Sequence, residues 1–407
     1  MQHNLKHFNL SVNSFKTALL FIFIFINIYP FKIYGLRISL IINLFLVVFS
    51  YNFKTFLNFK KGAIIIYFAV LVTLFSIFTF ITTGNIGQFI LGRNLRILIS
   101  SILIVLIFGK IVYSKEQFIS VLKFVLFVNV LIVLIQFVFP DSKMIFASLV
   151  GYEKKIVPFR SFGMFTSYDF TGFYCLLSVL VFSLINNKKY KILNNLALLL
   201  SIGSCFLTSR LAMAICSLLV IYLIYINRKK IRVIHIVIGG FVIAKVLIKY
   251  IYLLILVLVV SMPQLGYLFN FPIPNSVGIE NSYGINSASL LIGKMVFMPK
   301  SYYLLFGYGI NPEGSDIGYV HLLFLYGLIG TSIILIFYTK IIYKGLKILK
   351  RLKNLELFKT YLFFSILLFV YNYKLTFITA SGAYELFILF YLFILFLKQN
   401  YTNELQY

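Results

Sequence analysis

The sequence contains few residues of the types that soluble enzymes rely on. Of its 407 residues only 10 are Asp or Glu, 3 are Cys and none is Trp, and charged residues make up 12%. Soluble domains contain about 25% charged residues, so a water-soluble globular protein is excluded. Cys175, Cys205 and Cys216 lie in apolar segments without CxxC spacing, and we interpret them as packing residues rather than disulfide partners or metal ligands.

Common site motifs are missing as well. The sequence has no P-loop, no GxGxxG and no GxSxG, so ATP hydrolysis, dinucleotide chemistry and an esterase-type nucleophile lack support. No group of His, Cys, Asp and Glu has metal-ligand spacing. We therefore predict a protein that uses neither a cofactor nor a metal.

Long apolar runs are abundant instead, and 61% of the residues are hydrophobic. A spanning helix needs about 20 mostly apolar residues, so the sequence predicts an all-α polytopic membrane protein whose residues 1–407 form a single membrane domain. About twelve spans are predicted, at 17–34, 36–53, 62–82, 94–112, 118–139, 168–186, 192–207, 210–227, 233–260, 317–339, 357–373 and 383–398.

The net charge of +27 would suggest a nucleic-acid partner for a soluble protein. Here most Lys and Arg residues lie in short links on alternate sides of the spans. Lys and Arg are enriched in cytoplasmic links, so this pattern predicts that both termini are cytoplasmic. The lipid bilayer, not a nucleic acid, is the expected partner.

Two segments on the predicted outer side are too long for simple turns. These outer loops are 140–167 and 261–316, and the second, between spans nine and ten, contains a possible short amphipathic helix at 287–296. Structureless loops of this length are usually functional or disordered, and the second is too apolar for disorder. We expect the site on this side.

Two arginines adjoin the predicted outer ends of spans. Arg160 precedes span six, and Arg210 lies in the tight link between spans seven and eight. A guanidinium binds phosphate oxygens in a bidentate fork, so both are candidate diphosphate ligands. The alternative for each is an anchor that reaches toward the lipid headgroups.

Other cations are candidate substrate-binding residues. Lys245 and Lys249, four residues apart in span nine, share a helix face. Arg93 and Arg96 lie at the outer start of span four, and Lys374 ends span eleven. Charged groups at membrane depth usually mark functional sites, but any of these residues could instead flank a shorter span.

The acids near the predicted outer end are Asp316, Glu385 and Asp169. A carboxylate there could accept the proton of an attacking sugar hydroxyl as a general base. It could equally neutralise a neighbouring Lys or Arg. His321, about one turn into span ten, is more typical of a satisfied polar residue than of a ligand.

Four segments resemble the Wzy-type polysaccharide polymerases of the O-antigen ligase/polymerase superfamily. They are VPFRSFGMF with Gly172 following, LTSRLAMA, LFGYGINPEGSDIGYVHLLFLYGLIG and YKLTFITASGAYELFILF, which begin at residues 157, 207, 305 and 373. The number of predicted spans and the large outer loop in the second half are similar to that family over the whole chain.

The resemblance implies a metal-independent, membrane-embedded glycosyltransferase of the GT-C type in the inner (plasma) membrane. It would transfer a growing glycan from undecaprenyl diphosphate onto a lipid-linked oligosaccharide repeat unit, in O-antigen, capsule or exopolysaccharide synthesis. Arg160 and Arg210 would bind the diphosphate or the glycan, and Asp316 occupies a motif position. A chain-length regulator and a flippase are possible protein partners.

Two departures from the family pattern bear on this interpretation. Ligases of the superfamily typically carry a His three residues before the Tyr of the third segment, where this chain has Asp316 before Tyr319, and His321 is out of register. This favours a polymerase over an O-antigen ligase. The spacing between Arg160 and Gly172 does not match the spacing described for some polymerases.

The main alternative function is a lipid-linked oligosaccharide flippase. Transporters commonly contain two related halves, and no similarity between the two halves of this sequence is visible.

Overall fold

The chain is a helical, multi-pass membrane protein. The structure, a computed structural model, describes residues 2–29, 31–33, 36–49, 59–151, 160–185, 190–227, 298–299, 302–312, 315, 317–374 and 376–404. In these ranges the helices are α1 Gln2–Ile28, α2 Ile38–Phe49, α3 Phe59–Thr83, α4 Gln88–Ile111, α5 Lys115–Val138, α6 Ser142–Val150, α7 Tyr168–Leu184, α8 Lys191–Phe206, α9 Arg210–Asn227, α10 Tyr302–Phe306, α11 Gly318–Arg351, α12 Leu355–Lys374 and α13 Ala383–Glu404.

Two smaller elements join these helices. Strands β1 Lys32–Ile33 and β2 Leu36–Arg37 form a two-stranded antiparallel hairpin between α1 and α2, in which Lys32 pairs with Arg37. A 3-10 turn at Gly84–Gly87 connects α3 to α4.

Six of the described helices are long and apolar enough to cross a membrane: α3, α4, α5, α11, α12 and α13. Five more are apolar but shorter, at Asn13–Ile28, Ile38–Val48, Tyr168–Leu184, Lys191–Phe206 and Arg210–Tyr222. These eleven helices overlap eleven of the predicted spans in sequence, and six of the eleven have the length and hydropathy of a membrane span. The ninth predicted span, 233–260, lies outside the described residues.

Two helices occupy the centre of the bundle. In α7 all residues from Thr171 to Phe182 are buried, and in α13 the run Leu386–Ile394 is buried on every face. A helix that is apolar all round is expected in the interior. Because Trp is absent, stacked Phe and Tyr rings fill the core; one example is Phe118 on Phe393, with ring centroids 4.1 Å apart.

Contacts between helix ends define the two ends of the bundle. At one end the Thr17 hydroxyl lies 3.3 Å from the Tyr113 hydroxyl, so the start of the apolar part of α1, Asn13–Ile28, lies beside the α4–α5 link. At the other end Gly382, just before α13, packs against the Ile28 carbonyl at the end of α1. The described part of the α12–α13 loop, residues 376–382, belongs to this second end.

The predicted outer segments are only partly loops. Segment 140–167 contains α6, which ends at Gly151 in the left-handed conformation (φ 67°); the apolar run before this glycine forms the helix. Of segment 261–316 the structure describes residues 298–299, 302–312 and 315, including α10, and the predicted helix at 287–296 lies outside the described part.

The predicted span 317–339 belongs to a longer helix that is interrupted. Helix α11 has 34 residues and breaks at Gly327, where φ is 60° and ψ is −173°. Helix α10 packs against this break. The released Phe324 carbonyl accepts from the backbone N–H groups of Tyr308 (2.6 Å) and Gly309 (3.2 Å), so the lost helical hydrogen bond is replaced.

Candidate functional site

Two arginines on the first turns of α4 converge on the loop before α13. Arg93 donates to the Thr379 hydroxyl and, from Nε, to the Thr379 carbonyl at 3.4 Å. Arg96 donates from Nη2 to the same carbonyl at 3.2 Å. They lie three residues apart and therefore on neighbouring positions of one helix face. The Nε of Arg96 is buried and has no hydrogen-bond partner in the structure.

A third arginine, Arg37, approaches the same place from the β1–β2 hairpin. Burial and repulsion by Arg96 and Arg93 lower the pKa of Arg37 to about 10, against a smaller opposing attraction from Glu385. These interactions place Arg37 within electrostatic range of the other three charges. We refer to Arg37, Arg93, Arg96 and Glu385 as the arginine site.

Glu385 is the acid of the arginine site, and it exposes only 3% of its surface. It lies in the first turn of α13, and Oε2 accepts from the Gly382 N–H at 2.6 Å. An acid at a helix N-terminus is stabilised by the free N–H groups and the helix dipole. The hydroxyl of Tyr174 is buried beside Gly382 without a hydrogen-bond partner in the structure, so an unused donor points into this region.

Neighbouring side chains hold the arginine site in place. Asn94 lies between the two arginines of α4 and accepts from the Tyr326 hydroxyl at 2.8 Å. Tyr326 directly precedes the break at Gly327, so the interruption of α11 lies beside the arginine site. The Tyr338 hydroxyl donates to the Ile378 carbonyl, which fixes the α12–α13 loop from a second position of α11.

Arg160 adjoins a buried, non-helical segment, residues 161–165. Buried amides of α5 satisfy this backbone: Gln136 exchanges two hydrogen bonds with Gly163 (2.8 and 2.9 Å), and Asn129 accepts from the Met164 N–H at 3.2 Å. Irregular backbone inside a membrane protein needs such internal partners. Half-buried Arg160 itself stands over the Tyr168 ring, 5.9 Å from its centroid.

Arg210 begins α9 and is exposed. The Ser161 N–H donates to the Leu207 carbonyl at 2.9 Å, so the segment that carries Arg160 contacts the α8–α9 link that carries Arg210. The structure therefore brings these two predicted ligands to adjoining segments at the same end of the bundle as the arginine site.

Lys374 and Asp169 form a salt bridge of 2.9 Å. Asp169 therefore neutralises a neighbouring cation, which was the alternative to a role as general base, and the pair links α7 to α12.

His321 lies 3.1 Å from Asn311 Oδ1 and 2.6 Å from the Ser315 carbonyl. The expectation of a satisfied polar histidine is confirmed.

The remaining candidates, Asp316, Lys245 and Lys249, lie outside the described residues.

Reasoning from the sequence missed Arg37, which it placed at the start of span two. A charged residue inside an apolar run was the available signal. The roles of Thr379 and Tyr174 had no such signal, because a single hydroxyl in an apolar segment is common.

The three cysteines are buried, as expected of packing residues, and they form no disulfide in the structure. Among the described residues no cluster of three or more His, Cys, Asp or Glu side chains could hold a metal ion. The arginine site instead combines three guanidinium groups with one carboxylate and two partly unused donors. Such an arrangement suits an anionic group with several oxygens, such as a phosphate or diphosphate.

No protein-family model matches the sequence, and no curated protein matches it.

Proposed function

We propose that this chain is a Wzy-type polysaccharide polymerase. It would transfer a growing glycan from undecaprenyl diphosphate onto a lipid-linked oligosaccharide repeat unit and release the lipid diphosphate. The single observation that carries the proposal is the arginine site. Three half-buried guanidinium groups lie in one region that contains a single carboxylate, and the excess positive charge calls for a polyanionic ligand.

The position of the arginine site supports a lipid-borne substrate. Arg93 and Arg96 lie at the start of an apolar helix that is long enough to span the membrane. A diphosphate bound there would leave its isoprenoid chain in the lipid and its glycan toward the end of the bundle. The buried Arg96 Nε and the Tyr174 hydroxyl would both gain a hydrogen-bond acceptor, which lowers the cost of their burial.

The segments of Arg160 and Arg210 meet at the same end, and we assign them to the second lipid diphosphate or its glycan. Asp316 is proposed as the general base that accepts the proton of the attacking sugar hydroxyl. Lys245 and Lys249 are proposed as further substrate contacts. Lys374 would join them only if its salt bridge to Asp169 opens.

The proposed setting is a GT-C-like bundle of about twelve spans in the inner (plasma) membrane, with both termini cytoplasmic. Basic links on one side support this orientation. The candidate residues then face the outer side, where lipid-linked repeat units and a chain-length regulator would meet the enzyme. O-antigen, capsule and exopolysaccharide all fit this proposal.

Deletion of the gene tests the activity. A polymerase-deficient strain is expected to keep surface glycans that contain a single repeat unit. Complementation with Arg93→Ala, Arg96→Ala, Arg160→Ala or Arg210→Ala should leave chains short at normal membrane abundance, and Asp316→Asn should do the same. Lys191→Ala, an exposed cation at the opposite end, is the matched control. Wild-type chain length in the arginine variants would contradict the proposed diphosphate site.

One observation favours a second candidate, a flippase for lipid-linked oligosaccharides. Transporters commonly contain interrupted helices beside their substrate, and α11 breaks at Gly327 next to the arginine site. The same deletion strain separates the two functions, because loss of all surface glycan, including single repeats, indicates a flippase.

A further inference from the structure

The last turns of α11 carry a line of cations at the end of the bundle opposite the arginine site. We call Lys340, Lys344, Lys347 and Arg351 the cationic stripe. Their spacings of four, three and four residues place them on one helix face. All four side chains are exposed.

The opposite face of α11 fixes the direction of the stripe. Ile341 and Leu349 are fully buried, and Gly345 lies so close to the ring of Tyr361 that an added Cβ would be 2.6 Å from it. The helix therefore cannot rotate to bury the cations or to bring them to another part of the bundle. The stripe presents its charge outward.

No acid among the described residues lies within salt-bridge distance of these cations. Within the described ranges the only salt bridge joins Lys374 to Asp169, and none of the four cations donates a hydrogen bond. Successive members repel each other, because like charges three or four residues apart destabilise a helix. The helix dipole favours cations only within the last turn, so it explains Arg351 but not Lys340 or Lys344.

The neighbours of the stripe indicate a lipid surface. Tyr343 lies on the same face with 66% of its surface exposed, and Lys347 Nζ stands 5.8 Å from its ring centroid. Tyr beside Lys is typical of the membrane interface. The stripe also continues directly from a helix that is long and apolar enough to cross the membrane, so its cations meet headgroups before they meet any soluble molecule.

We propose that the cationic stripe binds the phosphate groups of anionic phospholipids. Each phosphate relieves the repulsion between neighbouring cations, and each cation near an anionic lipid surface contributes about fivefold in affinity. The site does not depend on the proposed polymerase activity, since it lies at the other end of the bundle and shares no residue with the arginine site.

The test uses the purified full-length protein in detergent and native mass spectrometry of bound lipid. Phosphatidylglycerol is titrated against zwitterionic phosphatidylcholine for the wild type and for Lys340→Gln/Lys344→Gln/Lys347→Gln/Arg351→Gln. The wild type is expected to prefer phosphatidylglycerol, and the quadruple variant should lose at least about tenfold of that affinity. A higher salt concentration should also weaken the preference of the wild type for phosphatidylglycerol.

Two further variants control the result. The first replaces four cations of the same end that lie on four other helices, with Lys110→Gln, Lys115→Gln, Lys191→Gln and Lys398→Gln; it has the same charge change and should lose less of the preference than the quadruple variant does. The second, Lys340→Arg/Lys344→Arg/Lys347→Arg, retains the charge and should also bind, so a general folding defect of the quadruple variant would be recognised.

Three outcomes would overturn the proposal. One is an equal preference for phosphatidylglycerol in the wild type and the quadruple variant. Another is an equal loss in the variant with four substitutions on other helices, which would show a nonspecific charge effect. The third is displacement of bound phosphatidylglycerol by inorganic phosphate or by polyglutamate at equal charge concentration, which would identify a general anion or acidic-peptide site.

Discussion

Replacement of Gly327 by alanine tests the interruption of α11. The residue has φ 60° and ψ −173°, a conformation that only glycine adopts readily, and an alanine there costs about 1–3 kcal/mol from backbone strain. An added Cβ would also lie 2.2 Å from the Leu305 carbonyl oxygen and 2.5 Å from the Phe306 nitrogen. These are backbone atoms, so no side-chain rotation relieves the contact.

The break must therefore open or straighten in the Gly327→Ala variant. Movement of α10 would stretch the hydrogen bonds from Tyr308 and Gly309 to the Phe324 carbonyl, and each is worth about 0.5–1.5 kcal/mol. We expect the free energy of unfolding to fall by about 3 kcal/mol or more. Because Tyr326 donates to Asn94, between the two α4 arginines, polymer synthesis should fall as well.

Gly203→Ala is the matched control. Gly203 lies inside α8 with nothing within 4 Å of an added Cβ, so alanine should stabilise the helix by about 0.5–1 kcal/mol. Reversible unfolding of the purified protein in mixed detergent micelles measures both variants. Equal stability of Gly327→Ala and Gly203→Ala would refute the interrupted geometry of α11.

Three other substitutions test the charges. Glu385→Gln should cost about 1–3 kcal/mol because it removes the only carboxylate of the arginine site, whereas exposed Glu356→Gln should stay within about 0.5 kcal/mol in the same unfolding assay. A double-mutant cycle with Asp169→Asn and Lys374→Met should give a coupling of only about 0.2–1 kcal/mol, since the pair is partly exposed; a much larger coupling would indicate a buried pair. The pKa of Arg37 is lowered to about 10 from 12.5, so the unfolded chain holds this one proton more tightly, and Arg37 contributes a gain in stability as pH rises between these values. In unfolding at pH 9 and 11, the wild type should therefore gain stability relative to Arg37→Gln, and an equal difference at both pH values would contradict the burial of the charge.

The hydropathy pattern predicted a helical membrane protein, because the bilayer requires long apolar helices, and the charge pattern added a prediction of orientation. Helices α3, α4, α5 and α13 begin and end within several residues of the predicted spans. The hydropathy and charge patterns of the sequence could not indicate the break in α11. A glycine within an apolar run is compatible with a straight helix, and only the contact with Leu305 shows why it is not one.

The candidate site was predictable one residue at a time but not as a group. Arg93, Arg96 and Glu385 stand out in the sequence because charges in apolar segments are costly and therefore rare. Their convergence depends on α4 and the loop before α13, which are almost three hundred residues apart. Arg37 joins them only through the hairpin after α1.

The sequence by itself determined that this is a helical membrane protein and which few charges lie in or beside its spans, since these features depend on local composition. The tertiary structure decided which charges meet. It joined Lys374 to Asp169, brought Arg37 within electrostatic range of Glu385, Arg93 and Arg96, and left the cationic stripe without a salt bridge to any described acid. Such pairings depend on how helices distant in sequence pack, and spacing along one chain does not encode that packing in a readable form.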